Sequence, residues 1–422
     1  MSLTPTRKVL TFAKPGKCAL IISFAILPAL YLAILISRAA VDVPFKDELY
    51  FPNIYASVAS GKFLAIHNLI AAHNGHPYLL LKLLMIFTLS NGLPWSWMMY
   101  AQVPILLAAF LIANRLLTNN HWSNWIATVA LAFAIITPRQ WENLYWGMQI
   151  AFSLSLLLGL CAFYCLQRYS EKKLSSWLTG ALVISLLASV CSAQGFLAFL
   201  ITLVGLTLVK PSRNHFVALL SCGLAGTALF AASEMLAMRA GAGRFTASAV
   251  TYGEHVARMF GNAVANYGRH IGAGVLIGVA VAALAAYCSW IALKRYRQFM
   301  FELACIAWGV GLILVVSYAR LAIDINQPNA PRYVPLVMPI LLGIISILAK
   351  TRRHAILAAI MVVVLFGYFQ SAASEWHITP YRKANLTALS RQLCFASDDY
   401  GKLSVSDLRN LQHFFCSSNR AK

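Results

Sequence analysis

Long apolar runs broken by short polar interruptions fill most of the chain, and their length decides its class. Stretches at 18–37, 98–117, 122–137, 149–167, 176–192, 194–209, 215–238, 271–293, 300–318, 334–349 and 354–371 carry continuous apolarity. A helix needs about 20 such residues to cross the hydrocarbon of a bilayer. The pattern predicts an all-α polytopic membrane protein with about eleven transmembrane helices. The first stretch, Cys18 to Ser37, is too long for the apolar region of a signal peptide and reads as a retained span. Pro77 to Ser90 is apolar over only 14 residues and runs straight into Asn91-Gly92-Leu93-Pro94. Its length predicts a juxtamembrane or re-entrant helix within the first outer loop, residues 38–97, behind an amphipathic helix ending near Ser60. Two domains follow: a transmembrane unit over 1–371, and a soluble-looking tail over 372–422 that is expected to form a small helical cap.

Composition agrees with lipid as the solvent. Hydrophobic residues make up 60% and charged residues 11%, against about 45–50% apolar and about 25% charged in soluble domains. The net charge of +21 does not mark a nucleic-acid surface, because the cations sit in short clusters between apolar runs. Arg168 to Lys173, Lys210 to Arg213, Lys294 to Arg297 and Lys350 to Arg353 fall in alternate loops, on the side of the basic N-terminus. The positive-inside effect makes that side cytoplasmic and puts the C-terminus outside. Counting Pro77 to Ser90 as a span would turn all four clusters outward. Most of the nine cysteines lie in spans as small hydrophobes. Cys394 and Cys416 lie in the outer tail, where an oxidising compartment would let them pair.

The unusual polar residues gather in the outer loops. Asp47 and Glu48 stand together in a chain with only 13 acidic residues, positioned to deprotonate a hydroxyl or hold a cation, although loop carboxylates commonly just face water. His73-Asn74-Gly75-His76 offers two imidazoles beside a turn, suited to hydrogen bonding a polyhydroxylated or phosphorylated ligand. No third ligand at a telling spacing supports a metal. Trp141, Glu142, Asn143, Trp146 and Gln149 follow the third span. Aromatic rings at a membrane interface are commonly an anchoring belt, but amides and a carboxylate among them suit a sugar's C–H face and hydroxyls. Arg320 and Arg332, with Tyr333, flank one short outer loop. Arginines at span ends often snorkel to headgroups, yet a pair on the disfavoured side invites a phosphate. The outer loop 239–270 reads equally as a lid or a connector.

Taken in order over residues 38 to about 335, these motifs resemble the GT-C class of polytopic glycosyltransferases, and more closely the bacterial serotype-converting type that modifies O-antigen or other envelope glycans. The matching residues are Asp47-Glu48, His73 to His76, Glu142-Asn143-Leu144-Tyr145-Trp146-Gly147-Met148-Gln149, the turn Ser189 to Gly195, and Arg332-Tyr333. Many relatives carry Asp-Asp where this chain has Asp47-Glu48, and Asp47 is the expected base. The resemblance implies an inverting transferase of the bacterial inner membrane that moves a hexose such as glucose from a polyprenyl-phosphate donor to an envelope glycan at the periplasmic face. Asp47 and Glu48 would serve catalysis, Arg320, Arg332 and Tyr333 the donor phosphate, and His73, Asn74, His76, Trp141, Glu142, Asn143, Trp146 and Gln149 the sugar or acceptor. A separate donor synthase and flippase would supply the donor. Mg or Mn assists some members of the class, but no ligand set for either stands out here. The competing readings are a transporter or flippase for a lipid-linked or anionic substrate, which would want pseudo-symmetric halves and midspan charges, and an O-antigen ligase or polymerase.

Overall fold

The computed structural model describes residues 15–44, 46–59, 64–117, 122–236, 248–263, 271–321 and 327–395. All the regular structure among them is helical: α1 (Pro15–Ala39), α2 (Phe51–Ala59), α3 (Leu64–Ile70), α4 (Leu79–Ser90), α5 (Trp97–Arg115), α6 (Trp122–Ile135), α7 (Trp141–Leu144), α8 (Ile150–Lys172), α9 (Ser175–Ser189), α10 (Ala193–Leu208), α11 (Arg213–Leu236), α12 (Ala249–Gly261), α13 (Ile271–Leu293), α14 (Met300–Leu321), α15 (Val334–Lys350) and α16 (His354–Phe395). Each apolar stretch of the sequence lies on a helix. Seven helical segments among the described residues are long and apolar enough to cross a membrane. α6, α9 and α10, with 14, 15 and 16 residues, are shorter.

Lipid and protein share the apolar surface unequally. α15 is buried along its whole length from Val334 to Ala349, with α14 as its main neighbour and α6 behind it. α11 and α13 are equally apolar but expose most of their side chains, as expected of helices that face lipid. α14 and α15 approach closely through glycines. A Cβ on Gly309 would collide with Ile340 and come within 2.9 Å of the Leu336 carbonyl oxygen, and one on Gly343 would lie 2.6 Å from Ile306 and 2.7 Å from the Glu302 carbonyl oxygen. Small residues let helix backbones pack where no hydrophobic effect drives them together. Gly309→Ala is therefore expected to destabilise the protein by about 1–3 kcal/mol, read as a lower unfolding midpoint in detergent; an unchanged midpoint would mean the two helices separate freely.

The loops sort to two ends. At one end Gln167 and Ser170 bond the Arg297 carbonyl, and Lys173 donates to the Val209 carbonyl, so the basic clusters lie together. At the other end Glu48 meets Met148, Asn143 meets Arg332, and His76 meets Ala193. α4 begins and returns at this second end: Leu80 N donates to Val190 O just inside it, and Ser96 N donates to Asp42 after it. The chain on either side of α4 is thus at the same end of the bundle, and the basic clusters gather at the other.

The last helix runs unbroken for 42 residues, about 63 Å at 1.5 Å per residue. Residues 372–395 thus continue the final span as one rod. Pro380 within it cannot donate to the Trp376 carbonyl four residues back. Arg38, at the end of α1, donates to that carbonyl at 3.3 Å and lays its guanidinium over the Trp376 ring. Tyr31 adds a 2.6 Å bond to Ala372 O. Cys416 lies outside the described residues, and so does its expected pairing with Cys394.

Candidate functional site

The His73–His76 segment is a two-residue hairpin. Asn74 and Gly75 have φ of 53° and 75°, and the two histidines exchange backbone bonds of 2.8 and 3.0 Å. Asn-Gly favours this turn because both central residues must take positive φ. The His73 ring stacks on Tyr50 at 4.6 Å, and His76 on Tyr78 at 4.9 Å. Lys82 holds the hairpin's approach, donating to the carbonyls of Asn68 (2.8 Å), Leu69 (3.2 Å) and Ala71 (2.5 Å) at the C-terminal end of α3. Those carbonyls have no partner within the helix, and a cation there also meets the favourable end of the helix dipole.

His76 is neutral. Its Nδ1 accepts from the Ala193 amide at 3.2 Å, which leaves the proton on Nε2. Burial, with Arg320 and His73 adding to it, pushes its pKa down to about 3. Its folded pKa lies below the unfolded value of about 6.5, so the unfolded chain binds the proton first as pH falls. Stability from this group is complete above about pH 6.5 and is lost towards pH 3, by at most about 1.4 kcal/mol per pH unit. The fall in unfolding midpoint between pH 7 and pH 5 is expected to shrink in His76→Asn, which keeps an acceptor for Ala193; equal slopes would mean His76 does not control it.

Asp47 and Glu48 part company. Glu48 is fully buried, its Oε2 accepting from the Trp95 indole at 3.0 Å and its Oε1 from the Met148 amide at 2.7 Å. It ties the first outer loop to the segment after α6. Asp47 is exposed and accepts from Asn74 Nδ2 at 3.2 Å. Burial raises the pKa of Tyr78, the Asp47 charge adds to that rise, and Arg320 opposes it. Asp47 and Arg320 therefore bear on one platform, formed by Tyr78 and His76, and Arg320 has no hydrogen bond or ion pair among the described residues.

A second cluster surrounds Glu142. Its carboxylate takes the Arg332 guanidinium and the Arg332 amide, both at 3.3 Å, and that guanidinium lies over the Tyr333 ring. Asn143 donates to Arg332 O at 3.3 Å, and Gln102 donates to the carbonyls of Asn143 (2.6 Å) and Trp146 (3.3 Å). The side-chain oxygens of Asn143 and Gln149 are buried with no hydrogen-bond partner among the described residues. Such an oxygen is costly, about 1–3 kcal/mol, unless a hydroxyl or water supplies a donor. Trp141 carries Arg382 against its ring at 3.2 Å, and Arg382 also pairs with Glu375 at 3.1 Å. One face of Trp141 is thus covered, and the ring also packs partly buried against the core beside Tyr145.

Asp47, His73, Asn74, His76 and Arg320 form one group; Glu142, Asn143, Trp141, Arg332 and Tyr333 form another. Glu48 and the stretch from Trp146 to Gln149 join the two. Trp95, Gln102, Lys82, Arg139, Glu375 and Arg382 also brace these clusters and are not among the site residues expected from the sequence. Three of these carried a signal: Gln102 is an amide inside an apolar run, Lys82 is a lone cation in one, and Arg139 is an outer arginine like Arg320. Arg139 is buried and binds Asn262 Oδ1 at 2.8 Å and Asn329 O at 3.2 Å, pinning α12 to the loop before α15. Among the described residues no group of three or more His, Cys, Asp and Glu side chains could hold a metal ion. No protein-family model, curated protein or solved structure matches the chain.

Proposed function

We propose that the chain is a GT-C-type polytopic glycosyltransferase that moves a hexose such as glucose from a polyprenyl-phosphate donor to O-antigen or another envelope glycan. In this reading it crosses the bacterial inner membrane eleven times, with the N-terminus cytoplasmic, the C-terminus periplasmic and the site on the periplasmic face. The observation that carries the reading is an exposed carboxylate, Asp47, held by Asn74 of the His73–His76 hairpin, with Asp47 and Arg320 both acting electrostatically on buried Tyr78, at the end of the bundle opposite the basic loops.

Asp47 takes the proton of an acceptor hydroxyl as the oxygen attacks the anomeric carbon. The bond from that carbon to the lipid phosphate oxygen breaks, and the phosphate leaves with the bonding pair. Arg320 stabilises the charge that develops on it. Asn74 orients Asp47, and the Nε2–H of neutral His76 serves as a donor to sugar or phosphate oxygen. Arg332 is already engaged by Glu142, which suits it to shaping the pocket around Asn143 and Gln149, whose unpaired oxygens would accept from sugar hydroxyls.

The test is glycan analysis of envelope polysaccharide from cells with and without the protein, joined to transfer of labelled hexose from its polyprenyl phosphate by the purified chain. A sugar added only when the protein is present supports the proposal. A change in polysaccharide chain length without a new sugar would point to a ligase or polymerase, and labelled donor crossing vesicles without transfer would point to a flippase.

A further inference from the structure

A pocket lies at the basic end, far from the outer-loop clusters. It has a volume of about 690 Å³ and opens between the ends of α5, α13 and α15. Its lining includes Lys294, Arg295, Lys350, Arg352 and Arg353 and no Asp or Glu. We propose that this pocket binds a phosphate-bearing anion at the membrane surface, either the headgroup of an anionic phospholipid or a soluble phosphate compound.

Cations in loops on this side need no ligand to explain them, so their surroundings decide the matter. In the loop after α8 part of the charge is used locally: Arg168 pairs with Glu171 at 2.8 Å, and Lys173 donates to the Val209 carbonyl. Around the pocket, Glu302 is the nearby carboxylate, and it is taken by Lys350 and Ser346. Lys294 and Arg295 from one loop and Arg352 and Arg353 from another then converge on a cavity of ligand size without a lining carboxylate. Like charges gathered around one recess repel, and an anion bound among them would relieve that repulsion.

The backbone fixes where one of these cations stands. Arg353 N donates to Leu348 O and Arg352 N to Ala349 O, the two bonds that close a helix in a Schellman motif. The left-handed position of that motif is ordinarily glycine, yet here it is Arg352, with φ of 59°. Lys173 and Lys210 take the same conformation, with φ of 57° and 54°; what sets Arg352 apart is its place on the wall of the pocket. Beside it the lipid-facing side of α13 ends in exposed Trp290 and Leu293, and Lys294 lies over the Trp290 ring. The mouth therefore sits at headgroup depth, where basic pockets between spans receive anionic lipid, and guanidinium forks suit phosphate oxygens.

The experiment titrates the purified full chain in detergent, at fixed ionic strength, with cardiolipin, phosphatidylcholine or inorganic pyrophosphate, following the unfolding midpoint. Saturable stabilisation by cardiolipin or by pyrophosphate, but not by phosphatidylcholine, is expected, and which of the two acts identifies the source. Arg295→Ala with Arg353→Ala should weaken it by roughly tenfold or more. Arg352→Gly should weaken it too while leaving the ligand-free midpoint equal or higher, because glycine relaxes the turn; a folding defect cannot mimic that combination. Lys210→Ala with Arg213→Ala, at another basic loop, should leave binding unchanged. The proposal is overturned if neither anion stabilises the protein, or if the Lys210 and Arg213 pair costs as much as the pocket variants, which would make the effect diffuse surface charge.

Discussion

Asp47→Asn is expected to slow sugar transfer by roughly 10²–10⁴-fold, the usual worth of a positioned general base, while leaving the amount of folded protein in the membrane unchanged. Both halves of that expectation come from the environment of Asp47. Its carboxylate is exposed and holds one recorded bond, from Asn74, so an amide of the same shape disturbs little packing. A carboxylate is needed there only if a proton must be accepted. The informative comparison sets transfer rate against folded protein for Asp47→Asn and Glu48→Gln together. If Asp47→Asn keeps its rate while Glu48→Gln, at equal folded level, loses it, the assignment of the base is wrong.

Glu48→Gln should behave in the opposite way, lowering stability by about 2–3 kcal/mol, with an activity loss that follows the loss of folded protein. Two N–H donors converge on the Glu48 side chain, Trp95 on one oxygen and Met148 on the other. A carboxylate accepts both. A glutamine amide accepts one and turns its own NH₂ on the other, leaving a buried donor facing a donor. Gly147 is packed against this side chain as well, with space for a Cβ only 3.2 Å from Glu48 Oε1, so the amide has little room to swing aside. Thermal unfolding of wild type, Glu48→Gln and Glu48→Ala would check the order, with Glu48→Ala the least stable. A Glu48→Gln midpoint equal to that of the wild type would mean Glu48 does not brace the loop.

These two neighbours show how far reading the chain could go. Their adjacency and scarcity marked the site, but residue type could not tell a solvent-facing acid from a buried brace. The difference lies in Trp95, 47 residues away, and Met148, 100 residues away. The same holds for Glu142 and Arg332, which the sequence assigned to sugar and phosphate separately and the fold joins as an ion pair across 190 residues. Asn-Gly between two histidines was legible as a turn from local sterics alone; that His76 would accept from the first amide of α10 was not.

By itself the sequence determined the class of the protein, the helical stretches and the sorting of loops to two ends. Those properties follow from apolar length and charge placement, which act through the solvent and need no knowledge of which helix touches which. Only the tertiary structure decided which helix is wrapped by others and which faces lipid, because α15, α11 and α13 are all apolar around their circumference. It alone decided how the outer side chains are partnered and that five cations line one pocket at the opposite end. Hydrogen bonds and like-charge crowding depend on distances of a few ångströms between residues far apart in the chain, and no local pattern encodes them.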